Sequence, residues 1–292
     1  MNFRQLRYFV VVAEELHFGR AASKLHMAQP PLSMQIKRLE ETIGVLLFER
    51  TKRQVKLTSA GSVLYKEAQQ ILAQVASAQK KVQQAARGEL GDLSVAFVSS
   101  AMYSVLPPWI SRFRQQYPSV TLHLQERTTM EQIESLLAQQ IDIGYVRPPV
   151  LNESIDSRCV WQENLVVALP VDHSLSKRRR ISVRDLSSVS FILFPRALAT
   201  DLYDNIISFC QQAGFSPDIV QTAAQLQTLL GLVAAGLGVA IVPAATQKLQ
   251  REGVCYKPFV EATPTTELRV VWRADDKSAT VANFLALQAA CS

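Results

Sequence analysis

Near residue 90 the hydrophobic pattern of the chain changes period. Before that point apolar residues recur every three or four positions, as on one face of a helix. After Leu93 they gather into short runs such as LSVAFV, TLHLQE and IDIGYV, with helical stretches between most of them. That alternation of strand and helix implies a largely parallel sheet with helices on its faces. The 292 residues therefore divide into a helical unit and a longer α/β unit, each able to bury its own core. Charge follows the same division. Residues 1–88 hold 14 Lys and Arg against 6 Asp and Glu, whereas residues 89–292 hold 17 against 19. A basic unit joined to a nearly neutral one points to a polyanion at one end and a different ligand at the other.

The helical unit has internal punctuation. FRQLRYFVVVAEEL places Phe3, Leu6, Phe9, Val10 and Ala13 at helical spacing, a break falls at His17-Phe18-Gly19, and RAASKLHM reads as a short second helix. Pro30 and Pro31 then mark the start of a third, because the first-turn amides of a helix have no intrahelical acceptor to lose. From there Leu32, Ile36, Leu39 and Ile43 make one buried stripe, leaving Ser33, Met34, Lys37 and Arg38 on the opposite side. Two short helices with a basic outer face on the second suit entry into a DNA major groove. GVLLFERTKRQVKLTSAG follows as strand, basic turn (Arg50, Thr51, Lys52, Arg53) and strand, a wing suited to the DNA backbone or minor groove.

Thr58 or Ser59 can cap a long helix ending at Gly88. Along it Leu64, Ala68, Ile71, Val75, Ala78, Val82 and Ala85 repeat in alternating steps of four and three, a heptad seam. The seam predicts a coiled-coil homodimer, the alternative being an amphipathic helix packed on its own domain. A dimer would bring two recognition helices to half-sites about one helical turn apart.

The motif order is specific. LRYFVVVAEELHFGRAASKLHMAQPPLSMQIKRLEETIGVLLFERTKRQVKLTSAG resembles the DNA-binding module of LysR-type transcriptional regulators over nearly all of residues 1–61. The resemblance implies a winged helix-turn-helix, the same linker helix, often a dimer of dimers (hence a homotetramer), and DNA approached by Gln29, Pro30, Ser33, Gln35, Arg50 and Arg53. Met34 departs from it, standing where many members carry arginine. Residues 90–292 resemble the two-lobed, periplasmic-binding-protein-like effector domain of that family. LGLVAAGLGVAIVPAATQ is similar to the subgroup responding to aromatic-catabolite carboxylates.

The resulting expectation is a winged helix-turn-helix at 1–58, a linker helix at 59–88 and a two-lobed effector domain at 89–292. Its first lobe takes about 89–162 and 267–292, and its second 163–266. Ligands of such folds sit at the carboxyl ends of strands, between lobes. Ser99 and Ser100 follow one strand and precede a helix, where hydroxyls and helix amides suit an anion. Thr128 and Thr129 follow a second strand, and Arg147, whose fork matches a carboxylate, follows a third. Pro195 and Arg196 close a strand of the second lobe. The resemblance places Ser99, Thr128 and Arg147 in the effector cleft. The alternatives are helix caps for the hydroxyls and a surface ion pair for Arg147.

Other chemistries find little support. No Walker A motif, GxSxG elbow or HExxH occurs, so neither catalysis nor a cofactor is expected. Cys159, Cys210, Cys255 and Cys291 form no CxxC pair, and His17, His26, His123 and His173 are scattered, which argues against a metal. Cys210 falls on an amphipathic helix, and KRRR at 177–180 reads as a solvated loop. No apolar leader segment follows Met1 and no run approaches membrane-spanning length, so a cytoplasmic protein free of the membrane is expected. The function read from the residues and the resemblance is a DNA-binding transcriptional regulator. Its effector is a small organic anion, aromatic or dicarboxylic.

Overall fold

A computed structural model of the chain describes residues 1–51 and 54–289. Backbone contacts divide it into two compact units, Met1–Gln84 and Ala85–Ser292.

The first unit begins with α1 (Phe3–Glu15), α2 (Phe18–Lys24) and α3 (Gln29–Ile43), continues through the antiparallel pair β1 (Phe48–Arg50) and β2 (Val55–Leu57), and runs into α4 (Ser59–Ala86). Asn2 caps α1 in a reciprocal box with Gln5. His17 caps α2, its Nδ1 accepting from Arg20 N at 3.1 Å. That cap starts the second helix at Phe18, inside the break and two residues before the helix start read from the sequence, and buries Phe18 in the core. Pro30 and Pro31 do stand in the first turn of α3, and Gly44, at φ 82°, ends it.

Phe9, Val12, Ala21, Leu32, Ile36, Leu39, Leu47 and Phe48 pack at the centre. Two stripe residues leave it: Phe3 is 59% and Ile43 38% exposed. Glu40 lies inside instead, its Oε1 accepting from Leu47 N at 2.9 Å and Phe48 N at 3.2 Å. It thereby holds β1 against α3. Thr58 caps α4 through Gly61 N at 2.9 Å. Gly61 is required there, because a Cβ would lie 2.1 Å from Leu47 O.

The second unit contains β3 (Gly91–Phe97), α5 (Ser99–Met102), α6 (Leu106–Gln116), β4 (Val120–Glu126), α7 (Thr129–Leu137), β5 (Ile143–Val146), β6 (Ile155–Pro170), β7 (Ser190–Leu193), α8 (Thr200–Gln212), β8 (Asp218–Thr222), α9 (Leu226–Ala234), β9 (Ala240–Pro243), β10 (Val254–Pro258), β11 (Thr265–Arg273) and α10 (Ala279–Ala289). β3 is parallel to β4 and β5, and β11 is antiparallel to β5 and β6, so this sheet is mixed rather than largely parallel. β6 makes the crossing between lobes. Residues 155–164 pair with β11, whereas residues 165–170 pair with β9 and β10. β7 and β8 form a parallel pair, and Phe191 of β7 makes a single parallel bridge to Val239, just before β9.

One core gathers Leu93, Val95, Trp109, Phe113, Tyr145 and Phe284 in the first lobe. The second lobe has its own, around Phe191, Ile206, Phe209, Ile241 and Phe259. KRRR is exposed, as read from the sequence, and tethered: Arg178 pairs with Asp185 at 2.6 Å, and Arg180 donates twice to Phe259 O at 2.9 and 2.6 Å. No helix among the described residues is long and apolar enough to cross a membrane.

Candidate functional site

Opposite its buried stripe, α3 presents Met34, 49% exposed, with Lys37 and Arg38 exposed beside it and Ser33 and Gln35 half-buried. Gln29 and Pro30 are exposed at its start. Lys37 meets Glu41 at 3.8 Å, a surface pair of little energetic weight. Thr51 pairs with Gln54, its amide donating to Gln54 O at 2.9 Å and its hydroxyl accepting from Gln54 N at 3.1 Å. Lys52 and Arg53 lie outside the described residues. Arg50 turns inward: Nη2 donates to Glu40 Oε2 at 2.9 Å, and the guanidinium stacks 4.7 Å from the Phe18 ring centre. Its charge is balanced within the unit, where it fastens the wing.

α4 divides along its seam. Ala68 is fully buried in the core of this unit, and Leu64 and Ile71 pack on it with Tyr65 and Leu72. Val75 is half-buried, while Ala78 and Val82 are exposed, Val82 by 70%. The first half of the seam is therefore the helix packed on its own domain, and only the second half is uncovered.

Between the two lobes of the second unit lies a cavity of about 350 Å³. Ser99 and Ser100 line it after β3, Thr128 and Thr129 after β4, and Arg147 after β5; Phe194, Leu198, Leu202 and Leu226 form the facing wall. The four hydroxyls differ in what they have left to give. Ser99 Oγ makes no hydrogen bond among the described residues. Ser100 Oγ accepts from Arg147 Nε at 3.1 Å and keeps its proton for another partner. Thr128 caps α7 in a reciprocal box with Glu131. Thr129 Oγ1 both accepts from Arg147 N and donates to Arg147 O, each at 3.3 Å, and is consumed as a clamp.

Arg147 is likewise engaged. Nη2 meets Glu163 Oε1 at 3.2 Å, and Nη1 donates to Thr266 Oγ1 at 2.7 Å and Glu267 O at 3.3 Å. Glu163 Oε2 accepts from Ala245 N at 2.6 Å, so the pair ties the first lobe to the second beside the β6 crossing. Burial pulls the Arg147 guanidinium below its ordinary pKa, and the Glu163 charge and hydrogen bond oppose that pull. A buried arginine already facing a buried carboxylate is part of the frame.

Comparison with known proteins supplies the rest. The description "Bacterial regulatory helix-turn-helix protein, lysR family" matches residues 3–62, and "LysR substrate binding domain" matches residues 86–290. The chain belongs to the LysR family of transcriptional regulators. It is 40% identical to the HTH-type transcriptional regulator AlsR of Bacillus subtilis over 98% of this chain and 94% of that protein. It is 34% identical to HcaR, the Hca operon transcriptional activator of Escherichia coli, over 98% of this chain and 97% of that protein. The crystal structure of CbnR, a LysR family transcriptional regulator, superposes with a TM-score of 0.91 at 31% identity, covering 99% of this chain and 100% of that one. This chain is accordingly a LysR-type transcriptional regulator with a DNA-binding and an effector-binding domain, and not an enzyme.

Within this LysR-type regulator, Ser99, Ser100, Thr128, Thr129 and Arg147 meet at one cavity. Pro195 and Arg196 do not line it. Arg196 pairs with Asp204 through two bonds of 2.7 Å at the surface, which lowers the Asp204 carboxyl and raises the guanidinium. Their neighbour Phe194 is the lining residue, and sequence reasoning missed it because a strand-end Phe looks like core.

Gln132 was also missed. Fully buried, it donates through Nε2 to Arg127 O at 2.8 Å and Tyr145 O at 3.2 Å, joining the ends of β4 and β5 that carry Thr128 and Arg147. Its signal is a polar residue four positions before Leu136 on the buried side of α7. Gly144 makes room for it, since a Cβ there would lie 2.8 Å from Gln132 Oε1. Among the described residues no three His, Cys, Asp or Glu converge as a metal site, and burial pushes the Cys210 thiol up to about 11.

Proposed function

We propose that this regulator reads operator DNA with the exposed side of α3, through Ser33, Met34, Gln35, Lys37 and Arg38. Gln29 and Pro30 stand at the helix start and the wing turn at Thr51 and Arg53 lies on the backbone. A small organic acid is its effector. Two copies join through the uncovered part of α4, at Val75, Ala78 and Val82, and dimers pair into a tetramer in the cytoplasm. Effector binding favours one closure of the lobes and so changes the spacing of the DNA-binding units, a coupling between distinct sites.

The observation that carries the effector reading is the state of the hydroxyls. Ser99 and Ser100 retain hydroxyl donors that nothing among the described residues uses, at the carboxyl end of β3 and facing a largely apolar wall. Lone donors opposite hydrocarbon suit an acid with an apolar or aromatic body.

A thermal-shift panel of small aromatic and dicarboxylic acids on the full chain tests it. A ligand at 100 times its Kd adds about 2.7 kcal/mol of stability. The stabilisation is expected to disappear in Ser99→Ala and Thr128→Ala. A hit that survives both substitutions would place the effector elsewhere.

A further inference from the structure

Thr128 stands apart from Ser99 and Ser100 because its donors already hold a carboxylate. Its backbone N–H and its Oγ–H converge on one oxygen, Glu131 Oε2, at 2.8 and 2.9 Å. An amide and a hydroxyl meeting on a single carboxylate oxygen is also the arrangement that an organic acid would need at this wall. Glu131 is exposed and lines the same cavity, so its side chain can turn away into water and give up only a surface cap. The bonds from Thr128 hold the Glu131 carboxyl below the usual carboxylate range, with burial opposing and Arg127 adding to them. The group in place is therefore charged at neutral pH.

The surrounding charges limit what can replace it. Glu126 and Glu131 both line the wall that carries the donors. Of the two lining arginines, Arg147 is bonded to Ser100, Thr266 and Glu163, and Arg127 Nη1 is turned to Ser135 Oγ. The facing wall is hydrocarbon at Phe194, Leu198, Leu202 and Leu226, with the neutral Gln225 amide beside it. A second carboxylate on the ligand would meet these acids, that wall or the neutral Gln225 amide. None of them supplies a countercharge for a desolvated carboxylate.

We propose that Glu131 is an internal stand-in for the effector's carboxylate, and that the cleft selects acids with one carboxylate on an apolar body over acids with two. The proposal rests on the reading of this cavity as the effector site.

Calorimetric titration of the full-length protein with benzoate and with adipate tests it. Benzoate is expected to bind about tenfold tighter than adipate. Glu131→Gln, which keeps a capping-box side chain but removes its charge, is expected to tighten benzoate about fivefold, the factor that corresponds to a typical cap. Adding Ser99→Ala to that variant should abolish the gain.

Adipate binding as tightly as benzoate would overturn the single-carboxylate selection. Unchanged or weaker benzoate binding in Glu131→Gln, with Ser99→Ala still abolishing it, would overturn the stand-in while leaving the cleft as the effector site. Benzoate binding indifferent to both Ser99→Ala and Thr128→Ala would overturn the cleft reading itself. Binding of neither probe to wild type or Glu131→Gln would overturn the assignment of ligand class.

Discussion

Two arginines, one in each unit, look alike in the sequence and have similar fates in the structure. Arg50 belongs to a basic turn and Arg147 ends a strand, and both positions suggest a guanidinium offered to an external anion. Each instead faces an internal carboxylate: Arg50 meets Glu40 at 2.9 Å and Arg147 meets Glu163 at 3.2 Å. They differ in depth. The Arg50 side chain is 37% exposed and that of Arg147 only 11%. The wing pair stiffens a small element at the surface, whereas the cleft pair sits where the chain crosses between lobes. In both regions the groups we propose for an external partner are other residues. On α3 these are Lys37 and Arg38, in the cleft Ser99 and Ser100.

The depth difference sets the largest expected effect. Glu163→Ala strands a buried guanidinium and leaves Ala245 N without its acceptor, so urea denaturation should show a loss of about 3–5 kcal/mol. Glu40→Ala leaves two buried amides unsatisfied but lets Arg50 turn to water, for a loss of about 1–3 kcal/mol. Equal losses would end the distinction between frame and fastening.

A finer contrast lies within the cleft. Thr129→Ala removes a clamp on Arg147 and should lower stability by about 1 kcal/mol. Ser99→Ala should leave the melting temperature of the free protein unchanged and remove only the response to effector. On α3, Arg38→Ala should reduce the slope of log affinity against log salt by about 1 without altering the fold. Arg50→Ala should do the reverse, lowering the melting temperature more than the salt slope.

The smallest effect concerns pH. The Glu131 carboxyl is held below its unfolded pKa, so its contribution to stability is present above that value and fades as pH falls through the folded one. Glu131→Gln should flatten the acid limb of the stability curve slightly, and a steeper limb would contradict the Thr128 bonds as its cause.

Much of the architecture follows from local pattern. The Pro30–Pro31 pair announces the start of α3 because a helix's first turn needs no amide protons, and the change of period near residue 90 separates helical packing from strand alternation. β10 and the first half of β6 were not legible. IDSRCVWQE and VCYKP mix polar and charged residues that a strand in this position tolerates because half of them face water.

For the cleft, sequence order alone puts hydroxyl residues after strand ends, and the structure gathers Ser99, Ser100, Thr128, Thr129 and Arg147 at one cavity. Which of them remain available is a question of partners well separated along the chain. Glu163 neutralises Arg147 from 16 positions along the chain and Thr266 caps its fork from 119. Likewise Glu40 reaches Arg50 across the turn between α3 and β1, and Ala68 closes the core of the first unit from within a seam that reads as a dimer interface. Local propensity and period act over a few residues and can be read from the sequence directly. The pairing of a buried charge depends on which distant groups share its desolvated space, and only the tertiary structure decides that.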